Sequence, residues 1–346
     1  MHKRVGRFFA VPILVAVAGT ATLQAEPVSD FYRGKTISII VGSDAGGGYD
    51  LTARALARVI GHHIPGNPQV VVQNKPGASS LLAANYVYDI SPHDGTVIAA
   101  VQRPVPFQFL FKTPGVHFDL SRLQWLGSST KEPGVFVAWH TTPFGSVEDL
   151  KTKEMVVGGN GPTTDTELFA RVMNLFLGTK LKIVSGYPGQ VPIVLAMERG
   201  EVQGVANWSW SDIETRHPDW IRDKKVRLLM QLSLEKIPAL GDVPSLLDLT
   251  RTAEEREIVG LLLKMKALGR PYFLAPGVPA ERVAALRTAF DATMADKDFL
   301  QEAARTLGPI DPISGKEMQR MLASVYSLSP DIVEKARAAV NADAAR

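Results

Sequence analysis

The sequence predicts an α/β fold made of two doubly wound units, and three observations support this. Short β-branched runs alternate with segments of helical periodicity, the pattern of a parallel sheet with crossover helices. This alternation occurs in the first third of the chain and starts again near residue 134. The chain has 346 residues, of which 45% are apolar and 21% charged, so it is long enough for two globular domains.

The first unit contains three strands separated by two helices. Asp50 is a good N-cap, and the apolar residues after it recur at helical spacing until Pro65-Gly66. Ser79 is a second candidate N-cap. The predicted elements are a strand at 36–41, a helix after Asp50, a strand at 69–73, a helix at 79–88 and a strand at 97–101.

The second unit repeats this alternation, and a helical region follows it. Its predicted elements are strands at 134–139, 155–157, 181–184, 202–206 and 226–231, with helices at 164–176 and 191–198. A loop then leads from residue 235 to a charged helix start before residue 257. The remaining predicted elements are a strand at 272–275 and helices at 280–294, 298–306 and 316–345.

The N-terminus has the pattern of a secretory signal peptide. Lys3, Arg4 and Arg7 precede an apolar run at 8–17, and small residues lead to a cleavage site near Ala25. The run is shorter than the roughly 20 residues that a membrane-spanning helix needs. We therefore expect residues 1–25 to be a cleaved leader, and an uncleaved membrane anchor is the alternative.

Cleavage would remove the net charge of the chain. The whole sequence has 38 Lys and Arg residues against 35 Asp and Glu, and the leader holds three of the basic ones and no acidic one. The 35 basic residues that remain balance the 35 acidic ones, so bulk attraction to nucleic acid or an anionic membrane is not expected. The chain has no cysteine, which excludes disulfides and thiolate chemistry.

Two glycine-rich loops, at 42–50 and 158–166, connect a strand to a helix. Consecutive glycines allow close backbone approach, and the N–H groups at a helix start favour a carboxylate or phosphate. The first loop has neither the Walker pattern nor the glycine spacing of a dinucleotide fingerprint. Because they occupy equivalent places in the two units, we expect them to clamp an elongated ligand with polar ends. A merely flexible first loop is the alternative, and Asp44 would repel an anion unless it points outward or meets a ligand donor.

Three further segments follow predicted strands. The turn at 74–80 offers a helix start, the segment at 206–210 offers an amide and two indoles, and Tyr187 lies in a Gly-Tyr-Pro-Gly turn. A simple turn or core packing explains each equally well. The candidate ligand-binding residues are Ser43, Asp44, Gly46, Gly47, Gly48, Tyr49, Ala78, Ser79, Asn160, Gly161, Thr163, Thr164, Thr166, Tyr187, Asn207 and Trp208.

Catalytic patterns are sparse. The sequence has no Gly-x-Ser-x-Gly elbow, no His-Glu-x-x-His motif and no His cluster of metal-site spacing. His62-His63 is at a helix end and His93-Asp94 is in a turn, where structural roles are expected. We expect no catalytic residue, no metal and no cofactor.

An ordered set of motifs resembles the periplasmic substrate-binding receptors of tripartite tricarboxylate transporters, also called the Bug family or TctC-like proteins. The motifs are Gly-Gly-Gly-Tyr-Asp at 46–50, Val-Gln-Asn-Lys-Pro-Gly-Ala at 72–78, Pro-His-Asp-Gly-Thr at 92–96, the loop at 158–166, Tyr-Pro-Gly at 187–189 and Tyr-Phe-Leu-Ala-Pro-Gly-Val-Pro at 272–279. The resemblance covers roughly residues 30 to 335. Both loops depart from the family pattern. Ser43-Asp44 lies where the family usually has an aromatic residue followed by a small residue or proline, and Glu167 lies near a usual His.

The resemblance implies a two-domain, type II-like clamshell in the periplasm, with a mostly parallel sheet flanked by helices in each domain. It implies that residues 26–127 and 249–346 form domain 1 and residues 128–248 form domain 2. Such a receptor is a monomer that binds a small carboxylated solute and delivers it, chemically unchanged, to membrane permease subunits. The departures at Ser43, Asp44 and Glu167 suggest a ligand other than a standard dicarboxylate.

Two other classes of function stay open on the sequence. An exported α/β enzyme acting on a small organic acid would use Asp44 or Asp165 as a base. A ligand sensor would present its closed form to a membrane signalling partner.

Overall fold

The computed structural model describes residues 27–161 and 164–341. The predicted leader at 1–25 and the candidate Thr163 lie outside these residues. The first elements are α1 (Val28–Tyr32), β1 (Thr36–Val41), α2 (Gly48–His63), β2 (Gln69–Asn74), α3 (Leu81–Asp89), β3 (Val97–Ala100), α4 (Val105–Leu110) and β4 (Gln124–Ser128).

The middle of the chain forms the second group of elements. They are β5 (Gly134–Trp139), α5 (Val147–Thr152), β6 (Met155–Gly158), α6 (Asp165–Leu177), β7 (Leu181–Val184), α7 (Gln190–Glu198), β8 (Gly204–Ser209), α8 (Trp210–Arg216), α9 (Pro218–Arg222) and β9 (Val226–Leu232).

The last part of the chain is mainly helical. Its elements are α10 (Ala253–Ala267), β10 (Pro271–Leu274), α11 (Ala280–Met294), α12 (Lys297–Thr306), β11 (Ile313–Ser314), α13 (Gly315–Tyr326) and α14 (Pro330–Asn341).

The strands form two mixed sheets. The first has the order β11-β4-β10-β3-β1-β2 and the second has the order β7-β6-β8-β5-β9. Four strands in each sheet run in one direction, while β10 and β11 in the first and β5 in the second run against them. The predicted α/β class with two mostly parallel sheets is confirmed.

The connections between the sheets explain the reversed strands β5 and β10. The chain leaves β4 at its carboxyl end and enters β5 after residues 129–133, and it returns through α10 into β10. Each of these strands therefore starts at the edge where its neighbours end. That edge is where ligands of open α/β sheets bind.

The interior is continuous between the sheets. One cluster of buried residues includes Trp125 of the first sheet and Phe136 of the second, and the ring of Trp125 meets Phe273 at 5.2 Å. A second cluster packs α2 and α11 against the first sheet, and a third packs α7 and α8 against the second. Helix α14 contacts both α10 and α6.

The structure corrects the predicted helix starts in the first unit. Gly47 is the N-cap of α2, so Asp50 lies inside the first turn rather than at the cap. Ser80, in left-handed conformation, precedes α3, while Ser79 with φ 50° lies in a short 3-10 turn before it. The reason in both cases is tertiary, since Asp50 and Ser80 bind backbone groups of neighbouring loops.

The predicted helix at 316–345 was wrong in its continuity. Residues 327–329 separate α13 from α14, because Pro330 has no N–H group to continue a helix and instead begins the next one. The hydroxyl of Ser329 accepts a hydrogen bond of 3.3 Å from the N–H of Ile332. Strand β8 begins two residues later than predicted. Within the described residues, no helix is long and apolar enough to cross a membrane.

Candidate functional site

A cavity of about 410 Å³ lies between the two sheets. The first sheet contributes the start of α2 and the turn after β3, and the second contributes the starts of α6, α7 and α8. Glu132 and Arg270, from the two connections between the sheets, also line it. The volume is that of a pocket for a small molecule.

One side of the cavity is formed by a buried ion cluster. We use this name for Arg103, Glu132, Asp165, Lys266 and Arg270, whose side chains are between 1% and 15% exposed. Glu132 joins the two guanidinium groups, with its Oε2 2.6 Å from Arg103 Nη1 and its Oε1 2.8 Å from Arg270 Nε. Asp165 Oδ2 lies 2.7 Å from Arg103 Nε and 3.5 Å from Lys266 Nζ.

Burial and mutual charge set the ionisation of this cluster. Burial would raise the pKa of Glu132, but Arg270 and Arg103 outweigh it and lower that pKa to about 2. Asp165 behaves likewise, because Arg103 and Lys266 overcome the effect of burial and lower its pKa. Burial, followed by the charge of Arg103, lowers the pKa of Lys266 to about 8. At neutral pH the cluster thus holds three cations and two anions, leaving one positive charge in excess.

The surplus charge lies beside the N-terminus of α2. A Cβ atom placed on Gly48, the first residue of α2, would be 3.3 Å from Arg270 Nη2. The hydroxyl of Thr52 accepts a hydrogen bond from Arg270 Nη1, and it donates to the carbonyl of Gly48 at 2.8 Å. Within the described residues, the Nη2 groups of Arg103 and Arg270 make no hydrogen bond, so donors remain for a ligand.

The first glycine-rich loop is held by the carboxylate of Asp50. This side chain is 1% exposed and accepts hydrogen bonds from Gly46 N–H at 2.8 Å, Arg54 Nε at 2.9 Å and Asn74 Nδ2 at 2.8 Å. Burial would raise the pKa of Asp50, and these hydrogen bonds lower it instead. The N–H of Gly46 is therefore occupied by the protein itself.

The second loop repeats this arrangement. Glu167, two residues into α6, accepts hydrogen bonds from Gly161 N–H at 2.7 Å and from Ser185 Oγ at 2.6 Å. Its other oxygen lies 3.3 Å from Arg171 Nη1, one helical turn further on. In each unit, a carboxylate in the first turn of the helix thus fixes the loop and pairs with an arginine four residues later.

The end of the cavity away from α2 is formed by α7, α8 and the end of β8. Trp208 is 1% exposed and its Nε1 donates to Asp212 Oδ2 at 2.6 Å. Asp212 also pairs with Arg216 at 2.9 Å. Asn207 is 4% exposed, and its Oδ1 has no hydrogen-bond partner among the described residues.

The space for Asn207 and the ion cluster depends on Gly134 at the start of β5. A Cβ at this position would be 2.0 Å from Asn207 Oδ1 and 2.9 Å from Lys266 Cε. Any larger residue would therefore displace side chains of the site.

Comparison with known proteins supports the same class of fold. No family model matches the sequence. A curated relative from Cupriavidus necator, described as "UPF0065 protein in gbd 5'region", is 25% identical over 242 residues, which is 68% of this chain and 70% of the relative.

Solved structures are similar over nearly their whole length. A TctC solute-binding protein from Polaromonas has a TM-score of 0.66 at 20% identity, with 88% of this chain and 99% of that one covered. The periplasmic binding protein BugD has a TM-score of 0.62 at 18% identity, with coverages of 89% and 98%. This chain has the fold of the TctC and Bug solute-binding proteins.

A third structure with this fold contains a ligand. It is a protein of R. palustris solved with adipate, with a TM-score of 0.62 at 19% identity and coverages of 87% and 97%. The resemblance to TctC-like and Bug proteins predicted from the ordered motifs is confirmed.

In this solute-binding fold, the cavity is lined by about half of the predicted site residues. Both glycine-rich loops and the end of β8 contribute to it. The candidates that line the cavity are Gly48, Tyr49, Asn160, Thr164, Thr166, Asn207 and Trp208.

The other described candidates do not line the cavity. Asp44 is exposed, so it does not oppose an anion inside. Tyr187 packs on the core beside the second sheet. The remaining residues of this group are Ser43, Gly46, Gly47, Ala78, Ser79 and Gly161.

The turn at 77–80 binds two segments next to the cavity, the loop after β1 and the turn after β3. Ala78, Ser79 and Ser80 all have positive φ, a conformation that non-glycine residues rarely adopt. Ser80 Oγ donates to the carbonyl of Gly42 at 2.8 Å and accepts from the N–H of Gln102 at 3.0 Å. Ser80 comes so close that a Cβ on Gly42 would be 2.4 Å away from it, which requires glycine at position 42.

Four charged residues of the site were missed in the sequence. Arg103 follows β3 directly, so the position of loops after strands was a signal that could have found it. Glu132, Lys266 and Arg270 belong to the two connections between the sheets. No local sequence pattern indicates that these three residues lie close together in the fold.

Proposed function

We propose that this protein is an extracytoplasmic receptor that captures a small carboxylated solute between its two sheets. One observation carries the proposal. The buried ion cluster has one positive charge in excess, and it lines the cavity beside the N-terminus of α2. A helix N-terminus and an unpaired guanidinium donor together favour a carboxylate.

The fold and the comparisons support this function. By their descriptions the TctC structure is a solute-binding protein and BugD is a periplasmic binding protein, and one neighbour was solved with a dicarboxylate, adipate. We infer that the captured solute passes unchanged to the permease subunits of a tripartite tricarboxylate-type transporter. Export through the predicted leader would place the receptor in the periplasm.

The charges in the cavity argue against an enzyme that uses Asp165 or Asp44 as a base. The lowered pKa of Asp165 and its two cationic partners keep this carboxylate ionised and occupied. Asp44 lies outside the cavity. No contact among the described residues favours a sensor over a transport receptor.

Thermal stability in the presence of small organic acids tests the proposal. A ligand at 100 times its dissociation constant should add about 2.7 kcal/mol to the free energy of unfolding. We expect stabilisation by at least one carboxylic acid and none by its amide. Arg270→Gln should remove that stabilisation, because it deletes a cation of the site.

Arg222→Gln is the matched control, since Arg222 is exposed and its one ion-pair partner in the described part of the chain is Asp223. Calorimetric titration of the folded variants separates lost binding from lost stability. If no acid in a broad panel stabilises the folded exported protein, the proposed function is wrong.

A further inference from the structure

The cavity has an apolar side compartment at the end away from α2. This compartment has a volume of about 100 Å³ and is lined in part by Val191, Val194, Leu195 and Trp208. Val191 and Trp208 also line the main cavity, so the two spaces adjoin. Gly48, Arg103 and Arg270 do not reach it, which gives a bound solute two different ends.

The charges at the two ends are opposite. The ion cluster at the α2 end has one positive charge in excess, as described above. The side compartment is lined by Asp212 and Glu198 against one cation, Arg216. Arg216 is already the partner of Asp212, with Nε 2.9 Å from Oδ1, and its side chain is 52% exposed.

A second carboxylate on the solute would therefore be unfavourable. It would lie beside apolar side chains and near two carboxylates, and the Arg216 guanidinium there is already paired with Asp212. A methyl or aryl group would instead meet the exposed side chains of Val191 and Leu195.

Resting on the proposed function, we propose that the solute is a monocarboxylate with a neutral, partly apolar body. Its carboxylate occupies the corner formed by the N-terminus of α2 and the guanidinium groups of Arg270 and Arg103. Its body extends along Val191 towards Leu195 in the side compartment.

Matched pairs of acids test the inference. Each pair has the same carbon skeleton and differs in the second carboxylate, as in butyrate and succinate, hexanoate and adipate, or benzoate and terephthalate. Calorimetric titration should show the monocarboxylate of a bound pair to be tighter by about tenfold or more, because like charges brought together are costly. Glu198→Gln should reduce the difference in affinity between the monocarboxylate and the dicarboxylate, and Arg222→Gln should leave that difference unchanged.

The outcomes separate this inference from the proposed function. Tighter binding of the dicarboxylate in the bound pairs overturns the inference and leaves a carboxylate receptor. If the dicarboxylates bind and the matched monocarboxylates do not, the inference is also overturned and the protein is still a carboxylate receptor. Failure of every acid, in these pairs and in the broad panel, overturns both. A preference for 6-aminohexanoate over hexanoate would also overturn the inference, since it would place a cation at the far end.

Discussion

At the scale of single residues, Lys266 shows how the site opposes the stability of the fold. Its side chain is 1% exposed and its ammonium group lies next to Asp165, and burial, followed by the charge of Arg103, lowers its pKa to about 8. In the unfolded chain a lysine keeps its proton to a pH of about 10.4. Between these values the unfolded state binds more protons, so raising the pH stabilises the folded state.

This predicts a measurable dependence of stability on pH. From pH 7.5 to 10, the free energy of unfolding should rise by about 2 to 3 kcal/mol more in the wild type than in Lys266→Met. Chemical denaturation at several pH values measures it. Lys264→Met, the same substitution on the same helix, should keep the wild-type slope. Equal slopes for the wild type and Lys266→Met would contradict the prediction.

At the scale of elements, the two strand-to-helix loops share one device. A carboxylate in the first helical turn binds a loop N–H group and pairs with an arginine four residues later, as Asp50 does with Arg54 and Glu167 with Arg171. The loop geometry therefore does not depend on a ligand. The N–H groups of Gly46 and Gly161 serve the protein, which leaves the start of α2 and the ion cluster for the solute.

Removing the Asp50 carboxylate should disturb both stability and binding. Asp50→Ala leaves Gly46 N–H without its acceptor and removes the carboxylate partner of Arg54 and Asn74 Nδ2. We therefore expect a loss of about 2 kcal/mol in the free energy of unfolding. Solute affinity should fall as well, because the loop before α2 loses its anchor. Denaturant titration and calorimetric titration measure the two effects.

The capping box of α5 offers the control for this experiment. Asp149 accepts hydrogen bonds from the N–H groups of Gly145 and Ser146 in the loop before α5. It does not line the cavity. Asp149→Ala should cost less stability and leave solute affinity as in the wild type. An equal effect of both substitutions on affinity would contradict the role given to Asp50.

At the scale of the whole molecule, Arg103 ties the two sheets together across the cavity. It follows β3 of the first sheet, and its Nε lies 2.7 Å from Asp165 at the start of α6 beside the second. Glu132, in the connection between the sheets, holds the same guanidinium group. Hinge motion of the two units would have to break the contact between Arg103 and Asp165, but it could keep the contact between Arg103 and Glu132.

We therefore predict that Asp165→Asn shifts the population towards an open form. Solution scattering should give a larger radius of gyration for this variant than for the wild type, and a bound solute should reduce that radius in the wild type. Arg222→Gln serves as the control. Identical scattering curves with and without a solute that binds would rule out closure of the two units.

The sequence by itself determined the α/β class, most strand positions and both glycine-rich loops, because hydrophobic periodicity and glycine or capping residues are local signals. It also predicted the resemblance to solute-binding proteins through ordered motifs. The extent of each domain, the leader and the role of each site residue stay predictions.

Only the tertiary structure decided where the charges lie. Glu132, Lys266 and Arg270 come from connections far apart in the chain. Their burial around Arg103 shifts the pKa values of Glu132 and Lys266 and leaves one positive charge in excess. The sequence gives a charge-balanced chain after the predicted leader, with 35 basic and 35 acidic residues. A local excess of charge depends on which side chains are buried together, and that is a property of the fold.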